Sequence, residues 1–438
     1  MTMTNASPIA VTQSASRIQR LGRSPRWGLV FVCLISIVVS GRQMLWYYSH
    51  GPAVTDLRIF MTGIDMVKSG EGQRLYRFDA QEKAQTQLYP EIRTSGLLPF
   101  NHPAYELLFY WPLSGLSYRR ALVVWAVANI GLLFLIAWLL APYSRALARA
   151  TGLPLALYLL AFYPVMYVLG EGQDSLIFAL LVVLSLRSMD SGQTFLAGFL
   201  LALACFKFHL ALLITFFVLI LRGKWRGVVG FVSGGALVCG ISLALVGSSI
   251  FHDYPAMLQR QEEVTPWGFI PWFMPNLRGF LQWVLAHWFD AGTIFLAIFL
   301  ASAVVGGVSM WLVLRNRNEK DESMVYAVAI LTTILISYHL HMQDLSLAML
   351  PMVVLCERAL LMSGERGAAG AGTLHARVAV LAVAIAALYL YRIAGEAVPI
   401  VLMLGCLLAV PVFVLWLVAL RWWGSAQPHD ARVAGIPF

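Results

Sequence analysis

Charge is scarce in this chain. Of its 438 residues, 12% are Asp, Glu, Lys or Arg, while 59% are hydrophobic and the mean hydropathy is +0.74. A soluble domain carries about 25% charged residues, so there is too little polar surface here to cover a core in water. Cysteine is scarce too. The five residues, Cys33, Cys205, Cys239, Cys356 and Cys406, lie in or beside apolar runs and form no CxxC pair. They read as small buried side chains, which excludes a disulfide framework. No small-residue cleavage site follows the apolar run Trp27 to Tyr48, which is preceded by Arg17, Arg20, Arg23 and Arg26. That run reads as a retained first helix and not as a removed leader.

What the sequence does contain is a succession of nearly uncharged apolar stretches, enough for about twelve membrane helices. The expected fold is an all-α polytopic membrane protein. Residues 1–26 would form a cytoplasmic segment, 27–421 one integral domain and 422–438 a cytoplasmic tail, with large outer loops at about 49–120 and 248–290. The orientation rests on where the short connections are basic. Arg145, Arg149, Arg187, Arg222, Lys224, Arg226, Arg315, Arg317, Lys320, Arg358, Arg366 and Arg377 fall on one set, while the alternate set is nearly free of Lys and Arg. Both termini are therefore expected inside, in a plasma membrane. The net charge of +9 becomes an orientation signal plus outer-loop surface, with no nucleic-acid partner implied.

The run Thr194 to Leu221 has Lys207 in its middle. One continuous helix would place an ammonium at mid-membrane, at a cost of at least about 2.5 to 3.5 kcal/mol. Two short helices with Lys207 at an outward turn avoid that cost, and the turn would sit below the membrane surface, in a cavity. In the first outer segment, Leu57, Phe60, Met61, Ile64 and Val67 recur at helical spacing, and Ala104 to Leu116 is rich in aromatics. Both pieces are expected to lie on the membrane as amphipathic helices. Trp267, Trp272, Trp283 and Trp288 in the second segment suit the headgroup region.

Polar residues crowd the outer ends of the helices. They comprise Asp56, then Asn101 and His102, then Glu171, Gln173 and Asp174, then Lys207 and His209, His252 and Asp253, and finally His339, His341, Gln343 and Asp344. An outward aqueous cavity lined by carboxylates, imidazoles and a lysine follows. Each residue also has a plainer reading. Asp56 precedes a helix and is as well placed to be its N-cap as to be a general base. Gln173 and Asp174 could cap the next helix or bind a sugar. Lys207 could snorkel to headgroups, but apolar flanks favour a cavity site suited to phosphate. The run His339-Leu340-His341-Met342-Gln343-Asp344 lacks HExxH spacing, so these residues are expected to bind phosphate or sugar, or to bond helices together, without metal. Arg392, Arg278 and Arg42 are weaker candidates near outer helix ends.

The order of short motifs resembles glycosyltransferase family 87, within the GT-C class of membrane glycosyltransferases. The matching pieces are Thr55-Asp56-Leu57, Leu75-Tyr76, Phe100-Asn101-His102-Pro103, Tyr110-Trp111-Pro112-Leu113, Gly170-Glu171-Gly172-Gln173-Asp174, Lys207 with Arg222-Gly223-Lys224-Trp225, and His339 to Asp344 ending in Leu350-Pro351. Two details depart from the family's usual pattern: Phe208 and His209 follow the lysine, and the histidine motif ends in Gln343-Asp344. The resemblance implies an inverting hexosyltransferase that moves a sugar, mannose by analogy, from a polyprenyl-phosphate donor to a lipid or glycan acceptor. It assigns the base to Asp56 and the donor phosphate to Lys207, His339 and His341. The sugar or acceptor would meet Asn101, His102, Gln173, Asp174, His209 and Asp344. Such a donor carries its own leaving group, so no metal and no separate cofactor is expected, and membrane lipids would be the surrounding partners. The alternative is a transporter or flippase, which calls for related halves and polar groups near the midplane.

Overall fold

The computed structural model describes residues 23–90, 96–264, 270–318, 320–365, 371–397 and 404–423. Most of the proposed terminal segments 1–26 and 422–438, namely residues 1–22 and 424–438, lies outside the described residues, as do Trp267 and Arg366. Among the described residues every regular element is a helix. Seven helices are long and apolar enough to cross a membrane, or eight if one bent pair counts as a span, against the about twelve expected. The difference comes from short pieces. Residues 153–169 fold as Leu155–Ala161 and Tyr163–Glu171, the following helix Ser175–Asp190 has 16 residues, and Glu322–Ile336 has 15. Spanning a hydrocarbon core of about 30 Å takes about 20 residues.

These helices form a multi-pass membrane protein whose lipid-facing surface is easy to trace. On Ala291–Arg315 the exposed side chains include Phe295, Leu296, Phe299, Leu300, Val304 and Trp311, and on Tyr118–Leu140 they include Val123, Val127, Phe134 and Trp138. Large apolar groups in such numbers on outward faces need a hydrocarbon solvent. At the centre runs Glu322–Ile336, buried from Glu322 to Leu335. Apolar on every side, it suits the middle of a bundle and not its surface. Its first turn is fixed by charge: Glu322 pairs with Arg222, and the neighbouring Asp321 pairs with Arg358. Its last turn delivers the chain to His339 and His341 at the opposite end.

A second, smaller core sits beside the main bundle, built from residues 57–125 with Val246 and Met257. Here the amphipathic expectation is corrected. Helix Leu57–Lys68 packs its apolar side against protein, with Leu57, Phe60 and Ile64 at most 1% exposed and Phe60 stacked on Tyr110 at 3.9 Å between ring centres. The piece Ala104 to Leu116 likewise folds as short turns in that core. Apolar residues at helical spacing mean that one face avoids water, and protein can cover that face as well as lipid does. Two glutamines then shape the loop leading to His102. Gln81 bonds both the amide and the carbonyl of Phe100, at 2.6 and 3.2 Å, and Gln85 does the same for Leu98 at 3.3 and 2.5 Å. Each side chain stands in for a strand neighbour and satisfies backbone that would otherwise be buried unpaired.

Candidate functional site

A cavity of about 800 Å³ is lined by several chain segments, four of which supply Asp56, Gln173, Lys207 and the pair His339 and His341. The first supplies Asp56. It occupies the N-cap position of Leu57–Lys68, yet its side chain makes no capping bond and faces the cavity, where it accepts a hydrogen bond from Gln173 Nε2. An N-cap bond is worth about 1 kcal/mol, so this carboxylate forgoes a local stabilisation. Asp174 does likewise at the start of Ser175–Asp190: it makes no cap bond, and Oδ1 lies 3.1 Å from Lys207 Nζ. Neither aspartate makes the capping bond that its helix start offers.

The second segment is the turn carrying Gln173 and Asp174. Tyr163–Glu171 ends in left-handed Gly172 (φ 74°), and the amides of Gly172 and Gln173 both bond the Val168 carbonyl. A Cβ at Gly172 would fall 2.8 Å from Leu57 Cβ, so glycine is required both by the backbone and by the approach of the Asp56 helix. The third segment is the bent pair. Thr194–Leu203 and Cys205–Ile220 meet at 60°, with Lys207 beside the break. Lys207 is 4% exposed and held between Asp174 and Asp344, the latter at 2.9 Å.

The fourth segment follows the central helix. Asp344 also accepts from Ser175 Oγ and from the His341 amide, each at 3.1 Å. The Nε2 atoms of His339 and His341 are 2.7 Å apart, so one donates and the other accepts. Burial, then the nearby His341 and His209, hold the His339 pKa well below that of an ordinary imidazole. Burial also pushes His102 down to about 4 and raises Glu106 well above the carboxylate range, the latter reinforced by Asp174.

Of the residues singled out from sequence, Asp56, Asn101, His102, Gln173, Lys207, His209, His339, His341, Gln343 and Asp344 line this cavity. Asp174 stands behind Lys207, in the wall. His252 and Asp253 do not line it; they are exposed on Ser249–Val264. Arg392 reaches it indirectly, bonding the lining residue Gln43 at 3.0 Å, and Arg278 lies over the ring of Tyr338, also in the lining, at 3.9 Å. Sequence alone assigns no role to Glu171, whose carboxyl meets Tyr47, Tyr167 and Asp56, and does not single out Glu106. Glu171 stands inside a family motif; Glu106 has no signal beyond a carboxylate in an aromatic stretch.

Chemically, the cavity offers a carboxylate with one oxygen already held by an amide, a buried ammonium, and a pair of imidazoles bonded to each other through their Nε2 atoms. Aromatic rings, among them Tyr47, Tyr163, Tyr167 and Tyr391, provide an apolar side. Compared with known proteins, residues 100–337 match the sequence pattern of glycosyltransferase family 87. No curated protein and no solved structure matches the chain.

Proposed function

The chain belongs to glycosyltransferase family 87 and is a GT-C-type membrane glycosyltransferase, and from that premise we propose that it transfers a hexose, mannose by family analogy, from a polyprenyl phosphate. The acceptor is a lipid or glycan hydroxyl, and the cavity opens on the outer face of a plasma membrane, with about twelve crossings and both termini inside. The observation that carries this reading is Asp56, turned away from its own helix and into a cavity that also presents Lys207, His339 and His341.

Transfer proceeds in one displacement. Asp56 accepts the proton of the acceptor hydroxyl as its oxygen attacks the anomeric carbon. The bond from that carbon to the donor's phosphate oxygen breaks, polyprenyl phosphate leaves, and the configuration inverts. Gln173 holds one Asp56 oxygen and so directs the other at the acceptor, while Lys207 and the histidine pair face the charge growing on the leaving phosphate. Asn101, His102 and His209 meet sugar or acceptor, and the aromatic side shelters apolar parts of the substrates. Asp174 and Asp344 are assigned to sugar or acceptor as well, and both also hold Lys207 toward the phosphate. The donor's own phosphate serves as leaving group, so no nucleotide is required.

The test is Asp56→Asn in membranes supplied with labelled polyprenyl-phosphate mannose. Removing a general base costs about 10²- to 10⁴-fold in rate. Undiminished transfer by a variant of normal abundance would show that Asp56 is not the base. Transfer lost with mannose but kept with another hexose would correct the sugar alone.

A further inference from the structure

At the cavity wall, beneath the lining residue His102, lies a cluster whose buried carboxyl groups sugar transfer alone does not explain. His102 follows the loop pinned by Gln81 and Gln85, Glu106 closes the turn Ala104–Glu106, and Asp174 follows the Gly172 turn. One ligand atom from each of the three lies within 4.8 Å of the others. His102 Nδ1 is 2.7 Å from Glu106 Oε2, and both Glu106 and Asp174 are completely buried. Apart from that imidazole contact, the Lys207 ion pair and the contact between Glu106 and Asp174 themselves, no described group donates to their carboxylate oxygens. That leaves Glu106 Oε1 and Asp174 Oδ2 with only each other's carboxyl for company, and two such buried oxygens point to a cation or a shared proton between them.

The charge balance leads to the same conclusion. Glu106, Asp174 and Asp344 surround the single ammonium of Lys207, and all four groups are at most 4% exposed. With every group ionised, the cluster has three negative charges against one positive, at a depth where unpaired charge is strongly penalised. It also adjoins a cavity that must admit an anionic donor. Either a proton shared by Glu106 and Asp174 or a divalent cation offsets that excess, and only the cation leaves all three carboxylates ionised.

We propose that His102, Glu106 and Asp174 bind one divalent transition-metal ion of the Mn²⁺ or Zn²⁺ kind beside Lys207. One imidazole and two carboxylates form a mixed nitrogen and oxygen set, which suits such ions better than the all-oxygen shells preferred by Ca²⁺ or Mg²⁺. Bonds of about 2.0 to 2.2 Å place two ligand atoms at most about 4.4 Å apart, so small side-chain adjustments complete the set. His102 lines the cavity and gives the ion its way in. These ligands differ from the His339 and His341 run, whose spacing disfavours metal. The ion ties the 100–106 loop to the 172–175 turn and renders the lysine cluster neutral before donor arrives. That last benefit rests on the donor reading above; the binding itself does not.

The experiment uses full-length protein in detergent, stripped with EDTA and titrated with MnCl₂, with free Mn²⁺ followed by electron paramagnetic resonance. Retained Zn²⁺ is measured by elemental analysis on unstripped protein. The expected result is one ion per chain and a raised thermal midpoint. Glu106→Gln and His102→Ala should each weaken binding about 100-fold while eluting as monodisperse protein, and His339→Ala should leave binding unchanged. Absence of stoichiometric Mn²⁺ and Zn²⁺ in the parent protein overturns the proposal and leaves a proton shared by Glu106 and Asp174 as the compensating charge. Binding equal to the parent's in Glu106→Gln overturns it too. Neither readout involves sugar transfer, so an inactive protein that binds the ion would count against the donor reading alone.

Discussion

At the scale of single residues, Lys207 is the side chain whose surroundings most constrain the site. Its ammonium is buried between Asp174 at 3.1 Å and Asp344 at 2.9 Å. Removing one partner of a buried ionic group costs about 3 to 5 kcal/mol, because the charges left behind remain desolvated. Lys207→Met should therefore lower the apparent Tm in detergent markedly, and adding Asp344→Asn should recover part of the loss. An unchanged Tm in Lys207→Met would mean that the carboxylates need no ammonium. Lys207 was legible in the sequence as an ammonium that an apolar run could not hide. Its two partners were legible only as polar residues on the same side. Their pairing joins positions 174, 207 and 344, and no local spacing encodes such a contact. Asp56 shows the converse: its position at a helix start was plain, but whether it caps that helix is decided by Gln173, 117 residues away.

At the scale of elements, the site depends on how closely two helices approach. Thr194–Leu203, which leads into the Lys207 break, lies against Trp225–Val246 through glycine. A Cβ at Gly198 would fall 1.8 Å from the Gly227 carbonyl oxygen, and one at Gly230 would fall 2.0 Å from that of Phe195. Backbone cannot yield as a side chain can, so Gly230→Ala must push the helices apart. A destabilisation of about 1 to 3 kcal/mol is expected, with transfer activity falling more than protein abundance as Lys207 shifts. Gly235→Ala and Gly240→Ala, on the same helix with nothing within 4 Å, should be neutral or slightly stabilising. Equal thermal midpoints for Gly230→Ala and Gly235→Ala would refute close packing as the constraint. Helix positions were largely readable from apolar runs. Which amphipathic faces meet protein and which meet lipid was not, because both media exclude water alike and Leu57–Lys68 would look the same in either.

At the scale of the whole molecule, the polar groups are distributed unevenly, and this bears on the side at which the enzyme works. The Arg222–Glu322 and Asp321–Arg358 pairs cluster at the start of the central helix Glu322–Ile336, while the cavity lies beyond its end. A transporter would need access from both ends, whereas a transferase drawing on a lipid-linked donor needs it from one. With basic connections inside, Lys83 on Phe78–Leu88 should face outward and Arg149 on Arg145–Thr151 inward; both are exposed. In a variant freed of its native cysteines, Lys83→Cys should react with a membrane-impermeant maleimide on intact cells, and Arg149→Cys only after permeabilisation. The reverse pattern would turn the cavity to the inner face and require a donor presented there. Labelling of both on intact cells would instead mean that Tyr118–Leu140, the long helix between the two positions, does not cross. The two outcomes separate orientation from span count, because the first inverts every connection and the second inverts only those beyond Tyr118–Leu140.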